Sequence, residues 1–372
     1  MQKIKSAIVH DWLLSPFAGA ERCLQVIHEL FPSPIYTLLQ NPKGLEGSYF
    51  ESQEIFSSFI QKLPFAKRGF RNYLPLFPLA IEQLDLSSYD LILSSSHCAA
   101  KGVLSHAEQL HICYCHTPMR YAWDLTHEYI QRAGLRKGIL RAFLHSLRTW
   151  DYLSAQRVDH FLANSQFVAK RIQKVYGRKA DVIYPPVDID FFQLQEQKEN
   201  YYIAASRLVP YKRMDLIVDA FSLMPSRRLL VVGEGPEERR LKKRAGKNIE
   251  FLGFQEDDKL CTLLQNARAF VFAAIEDFGI LPVEAMACST PVIGLKKGGL
   301  CETVQEGVSG LFFEEPSVEA ICSAVRRFEK MDFEPKRVRE SVETFRKERF
   351  QKEFSSFVKE RYAEFKKCTS SF

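Results

Sequence analysis

Short apolar runs separated by helical segments recur along the whole chain, and this alternation constrains the fold more than any other feature. KSAIVHDW (5–12), Ile35–Leu39, Asp90–Ser95, Leu110–Cys115, His160–Ala163 and Asp181–Tyr184 read as strands. Strands that alternate with helices predict a parallel, doubly wound sheet of Rossmann-like α/β type for residues 1–185. The stretch VIYPPVDIDFFQLQEQKEN (182–200) pairs two prolines with a polar tail, and its part 186–200 reads as a hinge. The pattern then restarts with YYIAASRL, RRLLVVGEG, NIEFLGF, ARAFVFAA, PVIGLKKGG and SGLFFEE. Helices fall between these runs, among them Pro236–Ala245 and Asp257–Asn266, so a second doubly wound domain is expected over 201–350. The charged segment Pro335–Lys367 has helical spacing, and 351–372 is expected to be a helix and tail that crosses back to the first domain. A length of 372 residues suits two such domains.

Composition narrows the class. With 46% hydrophobic and 26% charged residues the chain is globular. No apolar run reaches the roughly 18 residues that span a bilayer, and MQKIKSAIVHDW enters a strand directly, so a cytoplasmic protein is expected. Nine cysteines without a CxxC pair, several inside strand-like runs (Cys98, Cys113, Cys115), predict reduced, buried thiols and no zinc site. The net charge of +6 is unevenly placed. Ile55–Ile81 holds Lys62, Lys67, Arg68 and Arg71 with no acid, and Tyr129–Trp150 holds Arg132, Arg136, Lys137, Arg141 and Arg148 with none. Both stretches carry aromatics that look exposed, and such patches attract anionic surfaces or are ordinary solvated faces. The proline-rich stretch 59–80 reads as a loop with short helices facing an acceptor or a membrane.

Candidate functional residues collect at the carboxyl ends of the strand-like runs, where ligands bind in open α/β sheets. AAIEDFGILPVEAMAC (273–288) reads as a strand end, a tight loop at Gly279 and a helix with Pro282 at its first position. Glu276 then sits on the loop and Glu284 in the first helical turn. The amides of Gly279, Ile280 and Leu281 face an anion-binding spot. Carboxylates would repel a phosphate there, so both glutamates suit sugar hydroxyls beside it; the bland reading is a dipole-complementing helix start and a solvated turn. Arg207 and Lys212 emerge after the first strand of the second half, one able to grip phosphate bidentately and the other a compact charge. Gly233-Glu234-Gly235 and Gly298-Gly299 end two further strands. In the first half, Gly19 stands at a helix entry where a phosphate or acceptor can approach the backbone, and His116 lies just past a strand end, where an imidazole can bond a reacting group.

SRLVPYKRMD, VVGEGPE, IEFLGF, EDFGILPVEAMACSTPVIG and GGLCETV, followed by the turn Ser309-Gly310 before LFF, resemble in order the GT4-type retaining glycosyltransferases of the GT-B fold. VHDWLLSPFAGAERCL, YCHTPMRYAWD and FLANSQFV are similar to bacterial mannosyltransferases that build surface polysaccharides, departing at Ala18, where a second glycine is usual. The resemblance implies two Rossmann-like domains facing a central cleft. It implies that Arg207 and Lys212 hold the donor diphosphate, Glu276 the donor sugar, and Gly279, Ile280 and Leu281 sugar or phosphate. Glu284 would take the ribose, Gly233 would line the donor site, His116 would face the donor sugar, and Gly19 would lie near phosphate and acceptor. The implied donor is GDP-mannose, and the implied acceptor is lipid-linked or a polysaccharide of the cell envelope, as in lipopolysaccharide, met at the inner membrane.

Breaking a glycosyl–diphosphate bond leaves negative charge that pre-placed cations stabilise by several kcal/mol, on the order of one oxyanion donor. No DxD-like pair stands beside the cations, so neither metal nor other cofactor is expected, and no nucleic acid. No carboxylate is placed as a glycosidase nucleophile, and the resemblance implies same-face attack with the leaving phosphate deprotonating the acceptor. Two other readings remain: a nucleotide-sugar epimerase of the same fold, which needs no acceptor, and a non-catalytic protein that uses its basic face on nucleic acid or lipid.

Overall fold

The computed structural model describes residues 4–16, 19–132, 134 and 137–369; Ala18 and Arg136 lie outside them. Two compact units are present: Met1–Pro186 together with Phe350–Phe372, and Val187–Arg349.

The first unit is built on seven parallel strands: β1 (Ser6–His10), β2 (Ile35–Thr37), β3 (Ile55–Ser57), β4 (Leu91–Ser96), β5 (Leu110–Cys115), β6 (His160–Ala163) and β7 (Ala180–Val182). Their order is β3-β2-β1-β4-β5-β6-β7, so Ile8 of β1 stands between Ile35 and Leu93. Every residue of β4 and β5 is buried. Helices cover both faces of such a sheet, which is why these strands read as continuous apolar runs rather than alternating ones. β3 was not expected from the sequence; its three residues are part-exposed at the sheet edge and carry no apolar run. The flanking helices include α1 (Gly19–Leu30), α2 (Lys137–Ala155) and α3 (Gln166–Tyr176). In α3 the Ser165 hydroxyl accepts the Val168 amide and Gly177 closes the other end in the left-handed region.

The second unit carries β8 (Tyr201–Ala205), β9 (Arg228–Val232), β10 (Ile249–Gly253), β11 (Ala269–Phe272), β12 (Val292–Leu295) and β13 (Gly310–Phe313), all parallel, in the order β10-β9-β8-β11-β12-β13. Its helices include α4 (Met214–Ser222), α5 (Asp257–Asn266), α6 (Ile280–Ala287) and α7 (Val318–Phe328). Leu216, Ile217, Val231, Val271, Ile293 and Ile321 share one core.

The structure differs from the sequence reading at three places. Residues 187–200, within the segment read as a hinge, are bonded to the second unit. The Val187 amide donates to the Phe345 carbonyl at 2.9 Å, and Arg339 donates to the carbonyls of Ile189 and Phe192. Lys198 Nζ donates to the carbonyls of Gln265 and Cys288 and to the Thr290 hydroxyl at 2.7–2.9 Å. Burial lowers Lys198 to about 8. Pro335–Lys367 is not one helix: Pro335–Glu340 ends, a turn at Glu343–Phe345 follows, and α8 runs over Lys347–Thr369. Phe345 is buried there against Phe278, ring centroids 5.3 Å apart, and that inward step interrupts the helical spacing. The residues of α8 from Phe350 onward belong to the first unit, where Phe350, Phe354 and Val358, spaced by four, pack with Ile8, Leu24 and Tyr114.

The third correction concerns the basic stretches, whose aromatics are mostly not exposed. Phe70 and Phe77 are buried beside Trp12, and Trp150 turns inward to donate to Glu82, because the short helices of 59–82 and helix α2 each pack one face on the sheet. Outside remain Phe56, Leu79 and Tyr129, about half exposed, and above all Phe65, 85% exposed, with Lys62, Lys67, Arg68 and Arg71, and Ile139, 77% exposed, with Lys137 and Arg141.

Candidate functional site

In each sheet the strand order reverses direction once, between β1 and β4 in the first unit and between β8 and β11 in the second. The crevice beyond the carboxyl ends at such a point is the standard ligand position of doubly wound folds.

In the second unit, Arg207 leaves the end of β8 as an exposed side chain, and Lys212 closes the single 3-10 turn Pro210–Lys212. Glu276 lies on the loop after β11. The Lys212 ammonium donates to Glu276 Oε1, and the two side chains keep only 18% and 16% of their surface open. The cation and the carboxylate that the sequence assigned to different parts of a ligand are therefore in contact with each other across the switch point. Glycines let the neighbouring loops reach this pair. Gly233 follows β9 at φ 120°, and a Cβ there would fall well inside contact distance of the Ser206 carbonyl oxygen. Gly298, after β12, would place a Cβ 2.5 Å from the Glu276 carbonyl oxygen, and the Gly299 amide donates to that same oxygen at 2.8 Å.

Helix α6 starts earlier than the proline implies. Gly279, at φ 90°, takes the cap position, Ile280 is the first helical residue and Pro282 the third. A proline is harmless there, because the first amides of a helix have no intrahelical acceptor. Glu284 consequently moves to the second turn and is 4% exposed, buried with Pro282, Val283 and Met286. The amides of Gly279, Ile280 and Leu281 stand at the head of the helix.

In the first unit, Gly19 is the first residue of α1 and His116 follows β5 directly. His116 Nε2 is 2.8 Å from Ser95 Oγ, and the same hydroxyl is 3.1 Å from His10 Nδ1. Burial, with the imidazoles of His97 and His10 nearby, holds His116 well below the usual histidine range, so its ring is neutral. The sequence reading missed the group around it. Asp11, fully buried, accepts four backbone amides: His97 at 2.6 Å and Cys98 at 2.9 Å on Oδ2, Ala99 at 2.5 Å and Ala100 at 2.7 Å on Oδ1. Its Oδ2 also stands 3.0 Å from His97 Nδ1. Burial pushes the Asp11 carboxyl up, but His97, His10 and the amides of His97 and Ala100 outweigh it, and the net is below the usual carboxylate range.

The turn that Asp11 caps is anchored at its far end too. Lys101, fully buried, pairs with fully buried Asp151, whose other oxygen accepts from Trp123 Nε1 at 2.7 Å and the Tyr176 hydroxyl at 2.9 Å. The only signal in the sequence was the HDW end of β1; its meaning depends on β4, 85 residues away, being the next strand. Among the described residues no group of three or more His, Cys, Asp or Glu is arranged to hold a metal ion, and seven of the nine cysteines are buried.

Comparison with known proteins defines the class. The family model of Glycosyltransferase Family 4 matches residues 41–191, and that of Glycosyl transferases group 1 matches residues 187–345, nearly all of the second unit. Together they run from 41 to 345, and the chain belongs to the glycosyltransferases of the GT4 type. Its fold is GT-B: Anabaena Alr3699/HepE, solved in complex with UDP and glucose, superimposes with a TM-score of 0.73 at 19% identity over 96% of this chain and 99% of that one. An uncharacterized glycosyltransferase of Methanocaldococcus jannaschii, MJ1178, is 28% identical over 162 residues, 42% of this chain and 46% of its own. The D-inositol 3-phosphate glycosyltransferase of Mycobacterium bovis is 28% identical over 178 residues, 41% of this chain and 37% of its own. The matches thus cover less than half the length of these curated relatives.

Proposed function

We propose that the chain transfers a hexose, mannose from GDP-mannose, with retention of configuration to a lipid-linked or polysaccharide acceptor of the cell envelope. The observation that carries this reading is the Lys212–Glu276 contact at the switch point of the second sheet. A cation for phosphate and a carboxylate for hydroxyls stand side by side in direct contact, so both are within reach of one ligand. Arg207 and Lys212 take the diphosphate and neutralise the charge that grows on it as the glycosyl bond breaks. Glu276 accepts from hydroxyls of the sugar, and the amides of Gly279, Ile280 and Leu281 complete the cradle. Gly233 lets the loop after β9 lie close to the donor, and Glu284 takes the ribose. No metal takes part, because the two cations supply the positive charge.

The exposed cluster of Phe65, Lys62, Lys67, Arg68 and Arg71 supports work at an anionic membrane face. No helix among the described residues is long and apolar enough to cross a membrane. A second reading keeps the chemistry and changes the donor: Alr3699/HepE was solved with UDP and glucose, which favours a UDP-hexose. The deciding experiment is calorimetric titration of GDP against UDP, followed by a nucleotide-sugar panel scored for released nucleotide with membrane extract as acceptor. Tighter GDP binding is expected; a clear preference for UDP removes mannose. Absence of turnover with every donor removes the transferase reading, and conversion of a donor without any acceptor replaces it with epimerisation.

A further inference from the structure

Two buried cysteines of the second unit stand against each other, in a place the proposed transfer chemistry does not use. Cys261 lies in α5, and Cys288 directly follows α6. The Cys288 thiol donates to the Cys261 sulfur, and the Cys261 thiol donates onward to the Phe191 carbonyl at 3.6 Å. The two helices are bolted together beside them. The Thr290 hydroxyl donates to the Leu264 carbonyl at 2.5 Å, and the Lys198 ammonium spans the carbonyls of Gln265 and Cys288.

The pair is unequal, and the inequality gives each sulfur a part. Cys261 keeps 7% of its surface open, while Cys288 keeps none. The hydrogen bond from Cys288, with the Gln193 backbone, holds the Cys261 thiol below its ordinary range against burial and the carboxylates of Asp258 and Glu284. The same bond, with burial, pushes Cys288 up despite Lys198 nearby. An oxidant attacks the thiolate it can reach, and a neighbouring thiol resolves the product.

We propose that Cys261 and Cys288 are a peroxide-sensitive dithiol, closed to a disulfide by oxidation and reopened by a thiol reductant, and that closure weakens nucleotide binding at the head of α6. The Cys261 thiolate attacks one oxygen of a hydroperoxide; the O–O bond breaks, Cys261 becomes a sulfenic acid, and the leaving oxygen takes up the proton that Cys261 released. The Cys288 sulfur then attacks the sulfenic sulfur, and its proton departs with the hydroxyl as water. Two thiols have lost two electrons, and one hydrogen peroxide has become two waters. Two equivalents of a thiol reductant reverse the step and end as their own disulfide. A disulfide holds its sulfurs about 2 Å apart, well inside the separation of two hydrogen-bonded thiols, so closure draws the end of α6 toward α5. The helix has eight residues and spans only about 12 Å. A pull on Cys288 is therefore felt at the amides of Gly279, Ile280 and Leu281, and at Glu284, whose carbonyl accepts the Cys288 amide at 3.2 Å. The effect on nucleotide rests on the transferase reading; the disulfide does not.

The test is non-reducing peptide mapping by mass spectrometry after a pulse of hydrogen peroxide, with GDP and UDP titrated into the reduced, oxidised and re-reduced protein. The full chain carries Cys301→Ser and Cys368→Ser, which remove the two exposed thiols. A linked Cys261–Cys288 peptide is expected, and nucleotide affinity should fall at least about fivefold and return with dithiothreitol. In Cys288→Ala, which lacks the resolving sulfur, dimedone should mark a sulfenic acid at Cys261; in Cys261→Ser it should mark nothing at Cys288. Cys261→Ser should bind nucleotide like the reduced protein and ignore peroxide. Absence of the linked peptide, a dimedone mark on Cys288 instead of Cys261, or a peroxide response that persists in Cys261→Ser overturns the proposal. A disulfide that leaves nucleotide affinity unchanged overturns its link to the donor site. If neither nucleotide binds the reduced protein, the donor reading fails alone and the mapped disulfide stands.

Discussion

Replacing Glu276 by glutamine separates nucleotide binding from sugar transfer, because the carboxylate competes with the ligand for Lys212. In the free protein the two are in contact and more than four-fifths covered. Unit charges about 4 Å apart attract by about 4 kcal/mol at an effective dielectric near 20. Desolvation and side-chain ordering reduce the net to about 1–2 kcal/mol for a pair between surface and core. A nucleoside diphosphate that takes Lys212 must give up that amount in the wild type and gives up almost none of it in Glu276→Gln. Its affinity should therefore rise about 5- to 30-fold. Transfer should move the other way. Hydrogen bonds to a charged group contribute about 1.5–3 kcal/mol against about 0.5–1.5 for neutral ones, so losing the charge that positions the sugar slows turnover about tenfold. Titration calorimetry with GDP and UDP, next to steady-state turnover, reads both effects. Nucleotide binding that is unchanged or weaker in Glu276→Gln would refute the competition, and undiminished turnover would refute the role for the sugar.

Glu284→Gln, in the second turn of α6, should weaken nucleotide binding as well as transfer, which the same calorimetry checks; the opposite pattern for the two glutamates would mean their roles are exchanged. Gly233→Ala should destabilise the protein by about 1–3 kcal/mol in urea unfolding and lower nucleotide affinity, since the residue combines φ 120° with a carbonyl in the space a Cβ needs. Lys101→Met should cost about 3–5 kcal/mol by leaving Asp151 charged and buried, and a Lys101→Met, Asp151→Leu double variant should recover part of the loss in the same denaturation assay. Stability should fall as pH drops below about 6.5. His111 is buried and held at about 3, and His116 lies well below its usual range. The unfolded chain therefore binds more protons in that window, with a slope of up to about 1.4 kcal/mol per pH unit for each histidine. Urea midpoints from pH 7 to 4.5 should show a shallower slope for His111→Asn.

Legibility in the sequence followed the range of the interactions. β5, β6 and α5 start and stop where their residues said they would, because continuous apolar runs and helical spacing are local signals. The loops carrying Arg207, Lys212, Glu276 and Gly233 were likewise legible from strand ends and glycines. What failed depended on distant partners or on one backbone angle. Pro282 suggested a helix start two residues late because the left-handed Gly279 was not weighed as the cap. Phe70, Phe77 and Trp150 looked exposed beside their basic neighbours, yet each has an inward face that only the folded sheet supplies. Asp11 and Lys101 were invisible as partners of 97–100 and Asp151, since nothing local in HDW or AAKG says which distant strand or helix will stand beside them.

The glycines at the strand ends have a consequence for altering this protein. Backbone meets backbone at Gly233 with Ser206 and at Gly298-Gly299 with 276–278, with no side chain between to absorb a change of shape. Each pair of loops is thus a single piece for recombination. Grafting the 273–280 loop of a relative without its 296–299 counterpart would break the fit at the join. Chimaeras meant to change donor preference should carry both members of a pair and place their crossovers inside β9, β11 and β12.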